Sequence, residues 1–348
     1  MTDPPVPEKK PGRRLGLKLL TGLIALLIVS VVSIWGAYSA LEAVMRMPGP
    51  LAPDASDQTV VLLDKGMGLS AIADRLEENG VISNAFLFKL GVYRYKATRA
   101  LKAGEYAIPT RASMFAVMEI LREGKAVLHK LTIPEGLTTA QALRIVAADP
   151  VLVGEITVHP SEGRLLPDTY LFTRGETRDA LVTRMMEAQT ALIDKLWPSR
   201  AAKLPYKTRE EALTLASIVE KETGVPDERP HVASVFVNRL RIGMRLQSDP
   251  TIIYGLTGGE PLGRGIRLSE LQRQTPYNTY LVDGLPPTPI ANPGRDAIEA
   301  VLHPPSTNDL YFVADGTGGH AFSGSLSEHE RNVQRLRALE RQQKASGG

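Results

Sequence analysis

Glu220 and Glu222 stand two residues apart at the end of an apolar run, Leu213 to Val219. A carboxyl among apolar side chains tends to keep its proton toward neutrality, because burial disfavours the charged form. An acid catalyst at a glycosidic bond needs that property. At about 100° per residue, apolar positions 212, 213, 215, 216, 218 and 219 cover a wide arc of a helix. Glu220 falls on one flank of that arc and Glu222 on the other. Helical geometry therefore does not choose between them. The plainer reading is that both are solvated and paired with Lys221 or a nearby arginine, as most helix glutamates are.

Asn238, Arg239, Arg241, Gln247, Ser248, Asp249 and Thr251 form a second polar cluster, after a helix that Gly243 stops; Asp249-Pro250 reads as a turn. Amides, hydroxyls and guanidinium groups at a helix end suit a sugar bearing acetamido and hydroxyl groups; the alternative is an ordinary capped helix end. The stretch Thr275-Pro276-Tyr277-Asn278-Thr279-Tyr280 has tyrosines beside an amide, which either stack on sugar rings or anchor a loop on the core. His320, after a glycine pair, reads as a loop hydrogen-bonder rather than a catalyst. HExxH, a His/Asp cluster at metal spacing and GxxxxGK[ST] are all missing from the sequence. Ser217 has no nucleophile-elbow context. No cofactor and no metal is expected. With no cysteine, thiolate catalysis and disulfides are excluded.

The elements that position these residues are legible from caps and periodicity. Thr208-Arg209-Glu210-Glu211 is a capping box opening the glutamate helix, which Gly224-Val225-Pro226 stops. His231 to Leu240 is the next helix, Ala180 to Leu196 an earlier amphipathic one, Leu310 to Val313 a strand, and Ser325 caps a final helix to about Leu339. Upstream, a strand at Thr59 to Leu63, a turn at Gly66 and Gly68 and a helix at Leu69 to Glu78 form a unit. It is echoed by Gly104 to Tyr106 with Met114 to Arg122, and by Leu128 to Ile133 with Thr139 to Ala147. These strand–turn–helix units resemble the glycan-binding LysM module, against a plain spacer or packing domain.

Leu19 to Leu41 is 23 residues without a charge. It reaches about 35 Å as a helix, enough for a hydrocarbon core of about 30 Å. Lys9, Lys10, Arg13, Arg14 and Lys18 precede it, and only Glu42 and Arg46 follow closely. The positive-inside bias puts the N-terminus in the cytoplasm and the rest outside. A cleaved signal peptide is the rival, but its apolar core runs only about 7–15 residues. Met1 to Gly12 reads as a disordered tail. The net charge of +3 comes from that basic N-terminus, so nucleic acid is not an expected partner.

In order along the chain stand the glutamate helix, Asn238-Arg239-Leu240-Arg241 through Gln247-Ser248-Asp249-Pro250-Thr251, Tyr277-Asn278-Thr279-Tyr280, Gly284-Leu285-Pro286-Pro287, Ile290-Ala291-Asn292-Pro293-Gly294 and Leu310-Tyr311-Phe312-Val313-Ala314. Together they resemble the endolytic murein (peptidoglycan) transglycosylase family. The resemblance implies Glu220 as the catalytic glutamate, with Asn238, Gln247, Ser248, Asp249, Tyr277 and Asn278 as candidate sugar contacts. It implies cleavage of the β-1,4 bond between N-acetylmuramic acid and N-acetylglucosamine, leaving a 1,6-anhydro end on a nascent peptidoglycan strand. Peptidoglycan synthases (penicillin-binding proteins) are implied partners, and the inner membrane with a periplasmic catalytic domain the location. The expected α+β organisation is a tail at 1–18, a transmembrane helix at 19–41, a LysM-like module at 42–128 and a mixed α/β catalytic domain at 129–348. Two other classes remain: a muramidase-type hydrolase using Asp249 or Glu222 as second carboxylate, and a non-catalytic anchored glycan binder.

Overall fold

The computed structural model describes residues 12–54 and 56–346; the expected N-terminal tail lies largely outside them. Helices α1 (Gly12–Arg46), α2 (Leu69–Glu78), α3 (Ala85–Arg94) and α4 (Met114–Glu123) accompany strands β1 (Gln58–Leu63) and β2 (Gly104–Pro109). Then follow β3 (His129–Thr132), α5 (Thr139–Ala148), β4 (Thr169–Phe172), α6 (Arg178–Leu196), α7 (Arg209–Glu222), α8 (Arg229–Arg241), α9 (Asp249–Thr257), α10 (Leu268–Leu271), α11 (Arg295–Leu302), β5 (Tyr311–Ala314), β6 (His320–Ser323) and α12 (Leu326–Ser346). The fold is mixed α and β, and the chain divides between Leu128 and His129 into two compact units.

In the first unit β1 pairs antiparallel with β2, Val61 opposite Tyr106 and Leu63 opposite Gly104. Period-2 alternation puts Val61 and Leu63 into a core with Leu76, Phe88, Val92, Tyr106 and Leu121. Ser113 caps α4 by accepting from Ala116 N, and Gly124, with φ of 75°, ends that helix in the left-handed region. The Leu17–Arg46 part of α1 is long and apolar enough to cross a membrane, and its most apolar 18-residue stretch is unburied. Met45, near the C-terminal end of α1, is fully buried in the unit's core.

Among the described residues the second unit holds two further two-stranded antiparallel sheets, β3 with β4 and β5 with β6. The three strand–turn–helix echoes are therefore not a tandem array: the first two strands pair with each other, the third with β4. Two apolar clusters fill the unit. One lies around α5, α6, Phe172 and Leu165. The other joins α7, α8 and α11 through Leu215, Ile218, Val219, Val232, Phe236, Ile298 and Val301. Burying each such side chain contributes about 1.5–3 kcal/mol, so α7 is held along most of its length.

Helix α7 opens as its sequence predicts. Thr208 Oγ1 accepts from Glu211 N at 3.1 Å and Glu211 Oε2 accepts from Thr208 N at 2.9 Å. Its last turn carries both glutamates. Where Asp249-Pro250 reads as a turn in the sequence, Pro250 takes the first turn of helix α9, where its missing N–H is no loss. α3, α11, β4 and β6 had no clear sequence signal.

Candidate active site

Two residues apart on α7, Glu220 and Glu222 enter different surroundings. The Glu220 side chain is 3% exposed. Its Oε1 accepts from Arg229 Nη2 at 3.0 Å and its Oε2 from Gly294 N at 2.9 Å. The same guanidinium pairs with Glu135 at 3.1 Å and with Asp296 at 3.5 Å. Burial pushes the Glu220 carboxyl above its ordinary range; the Gly294 N–H and Arg229 oppose that, and Glu135 and Asp296 add to it. Lys221, between the glutamates, donates to Gly136 O at 3.1 Å. Glu220 thus joins the β3–α5 turn, the start of α8 and the cap of α11. It does not line the cavity described next.

Glu222 does. It opens, partly exposed, onto a cavity of about 500 Å³ shared with Arg239, Gln247, Asp249, Tyr280 and Tyr311. Burial pushes its carboxyl up to about 7, with the Asp249 charge adding to the effect. The Ser248 hydroxyl, His320 and Arg239 pull the other way. Ser248 Oγ is buried and has no hydrogen-bond partner among the described residues. Among the described residues Glu222 makes no ion pair. It is a carboxyl able to hold or release a proton near neutrality beside a space large enough for sugar.

The walls of the cavity are tied by hydrogen bonds and ring contacts. Arg239 is buried, its Nε donating to Leu310 O at 2.6 Å and its Nη1 to Leu246 O at 2.5 Å, with its guanidinium 5.4 Å from the Tyr311 ring. Burial lowers its pKa from the usual guanidinium range. This fixed cation faces the charge that Glu222 gains on losing its proton. Asp249, at the start of α9, accepts from Tyr280 OH at 2.7 Å. Gln247 has φ of 49°, a left-handed backbone rare for a residue with a side chain. Thr279 holds that corner: its carbonyl accepts from Gln247 N at 3.1 Å and its Oγ1 from Ser248 N at 2.9 Å. His329, from α12, stacks on Tyr311 at 5.2 Å, and burial keeps its ring below the usual imidazole pKa, Arg239 adding to the effect.

Of the residues expected to touch sugar, the fold brings Gln247 and Asp249 to the cavity with Ser248 beside them. It uses three others for structure. Asn238 Nδ2 donates to Thr307 O and Asp309 O, both at 3.0 Å. Tyr277 OH meets Thr288 Oγ1 at 2.8 Å, and its ring packs edge-on against Tyr254. Asn278 is buried, donating to Leu271 O and Arg273 O and accepting from Tyr280 N at 3.0 Å. Asn278 thereby shapes the loop that presents Tyr280. His320 is a hydrogen-bonder as expected, its Nδ1 meeting Glu228 Oε2 at 2.7 Å, though it begins β6 rather than lying in a loop. Arg239 and Tyr280 stood within the polar runs but were not singled out. Tyr311 is legible only as part of a strand and of one ordered motif, and His329 carries no signal, since a distant helix delivers it.

A sequence model of the YceG-like family matches residues 61–335. An endolytic murein transglycosylase of Bacillus subtilis (strain 168) is 31% identical over 313 residues, covering 81% of this chain and 86% of that protein. One from Streptococcus pneumoniae serotype 2 is 30% identical over 346 residues, covering 86% of this chain and 62% of that longer protein. The crystal structure of a yceG-like protein from Listeria monocytogenes is 33% identical and superposes with a TM-score of 0.51, over 79% of this chain and 98% of that one.

Proposed function

This chain belongs to the YceG-like family, and from that membership and the chemistry of its cavity we propose that it is a membrane-anchored endolytic lytic transglycosylase acting on peptidoglycan strands. The observation that carries the reading is Glu222, a carboxyl with its proton affinity raised to about 7 on the wall of a sugar-sized cavity. We assign it the acid role in place of Glu220, which the family resemblance implied, because Glu220 already gives both oxygens to protein donors and has no opening to that cavity.

In this reaction Glu222 gives its proton to the oxygen leaving C1 of N-acetylmuramic acid as the β-1,4 bond breaks. The carboxylate so formed, facing Arg239, then takes the proton of the sugar's own C6 hydroxyl. That oxygen closes onto C1 and leaves a 1,6-anhydro end. The proton count balances, water is not consumed, and no second carboxylate is required. Gln247, Ser248, Asp249 and Tyr280 are the proposed sugar contacts.

α1 fits a single-pass anchor. The basic residues before it favour a cytoplasmic N-terminus and a periplasmic catalytic unit at the inner membrane. Cutting there would end elongation of strands leaving a synthase, so peptidoglycan synthases are the proposed neighbours. The small first unit, strand–helix–helix–strand with antiparallel pairing, is compatible with a LysM-like glycan-binding module. Mass spectrometry of strands digested by the purified protein tests the reaction: anhydro ends are expected. Reducing ends would favour a hydrolase with Asp249 as second carboxylate, and intact strands a binding protein.

A further inference from the structure

An apolar stripe on α3 is left uncovered by the first unit's own core. Phe86, Leu90 and Tyr93 are 63%, 38% and 62% exposed. Their i, i+4, i+7 spacing puts them on one face, while Ala85, Phe88, Gly91 and Val92 face the core.

α3 is pinned to α1 just where α1 leaves its charge-free stretch. The two helices approach so closely at Gly91 that a β-carbon there would overlap the Met45 side chain. Glu42 accepts from Tyr95 OH at 2.6 Å and pairs with Arg94 at 2.9 Å. The Arg94 guanidinium lies 3.8 Å from the centre of the Tyr38 ring, within the last turn of the charge-free stretch. Met45 stands four residues past Leu41, a rise of about 6 Å. In a bilayer crossed by Leu19 to Leu41, that is headgroup depth, since the polar layer adds roughly 5–7 Å on each side.

The chain around α3 carries charge of one sign, although Glu42 of α1 pairs with its Arg94. Between Asn79 and Gly104 there are five basic residues, Lys89, Arg94, Lys96, Arg99 and Lys102, and no acidic one. Lys96, Arg99 and Lys102 are exposed. Exposed aromatics beside clustered cations fit the boundary between anionic headgroups and acyl chains.

We propose that α3 is an interfacial helix: its Phe86–Leu90–Tyr93 face enters the headgroup–acyl boundary of the membrane that α1 crosses, with Lys96, Arg99 and Lys102 on anionic lipid headgroups. The inference rests on α1 spanning the bilayer. Ten residues bind a membrane weakly alone, but tethering through α1 makes the contact intramolecular, so a weak affinity is enough. The contact would fix the tilt of α1 and hold the first unit flat on the bilayer.

The chain has no cysteine, so Phe86→Cys, Leu90→Cys, Tyr93→Cys and Val29→Cys each give a single labelling site. Each full-length variant, carrying an environment-sensitive fluorophore, is reconstituted into vesicles of phosphatidylcholine and phosphatidylglycerol with brominated acyl chains. The label at 29 reports the span, and bromine should quench it. The labels at 86, 90 and 93 should also be quenched by bromine and shielded from aqueous iodide, and adding Lys96→Gln, Arg99→Gln and Lys102→Gln should reduce the shielding. Iodide access at all three positions, with 29 quenched by bromine, overturns the proposal and leaves the stripe to a protein partner. Absence of bromine quenching at 29 removes the span, and the proposal falls with it.

Discussion

Glu220 and Glu222 share the last turn of α7, yet Glu220 is closed between Arg229 Nη2 at 3.0 Å and Gly294 N at 2.9 Å while Glu222 opens on the cavity. Because Lys221 is also tied down, to Gly136 O, the turn presenting Glu222 is held on both sides. The buried ion pair sets the direction of the free carboxyl.

Replacing each glutamate by glutamine separates these roles. Glu222→Gln keeps the shape but has no proton to transfer, so turnover should fall about 10²–10⁴-fold with strand binding little changed. Glu220→Gln removes a charge opposite a buried guanidinium that keeps Glu135 and Asp296, and should lower stability by about 1–3 kcal/mol in thermal unfolding. An inactive Glu220→Gln with unchanged unfolding, alongside an active Glu222→Gln, would return the acid role to Glu220.

The same carboxyl has a consequence for stability. Glu222 holds its proton up to about 7 in the fold, against 4.5 for an ordinary glutamate. The folded chain therefore binds more protons than the unfolded chain between those values, and stability declines as pH rises through them. Glu222→Gln removes that decline. Denaturant melts at pH 8 should find the variant more stable than the parent by about 1–3 kcal/mol, an amount reduced by the partial exposure of the group. Equal stability at pH 8 would mean that Glu222 is not raised.

Activity should fall on the alkaline side as the Glu222 proton is lost, near pH 7. Asp249 raises the proton affinity of Glu222 through its charge. Asp249→Asn should therefore move this falling limb to lower pH, read from the pH profile of turnover. A limb that stays in place would separate Asp249 from the acid.

Asn238→Ala tests the reassignment of a residue expected to touch sugar. Its amide holds the carbonyls of Thr307 and Asp309. Truncation should cost about 1–3 kcal/mol of stability, with KM for strands unchanged below the melting temperature. A large rise in KM without loss of stability would make Asn238 a sugar contact after all.

For the anchor, a reporter active only outside the cytoplasm, fused after Gly348, should give signal in the membrane fraction. Reversing the charges of Lys9, Lys10, Arg13, Arg14 and Lys18 should weaken it. A shortened, soluble product would instead point to a cleaved leader.

Local rules sufficed for much of this protein. The capping box at Thr208, the stop at Gly224, the charge-free stretch of α1 and the helices α2, α4, α5 and α6 follow from short-range periodicity and caps. The ordered motifs also led to the family. Which glutamate faces the cavity did not follow, because both flank the same apolar arc and only partners distant in sequence distinguish them. Arg229 and Gly294 claim Glu220; Arg239, Tyr280 and the residues of β5 and α12 surround Glu222. The burial that lifts its proton affinity belongs to no single segment. Two residues along a helix turn a side chain by about 200°, and only tertiary packing decides what waits on each side.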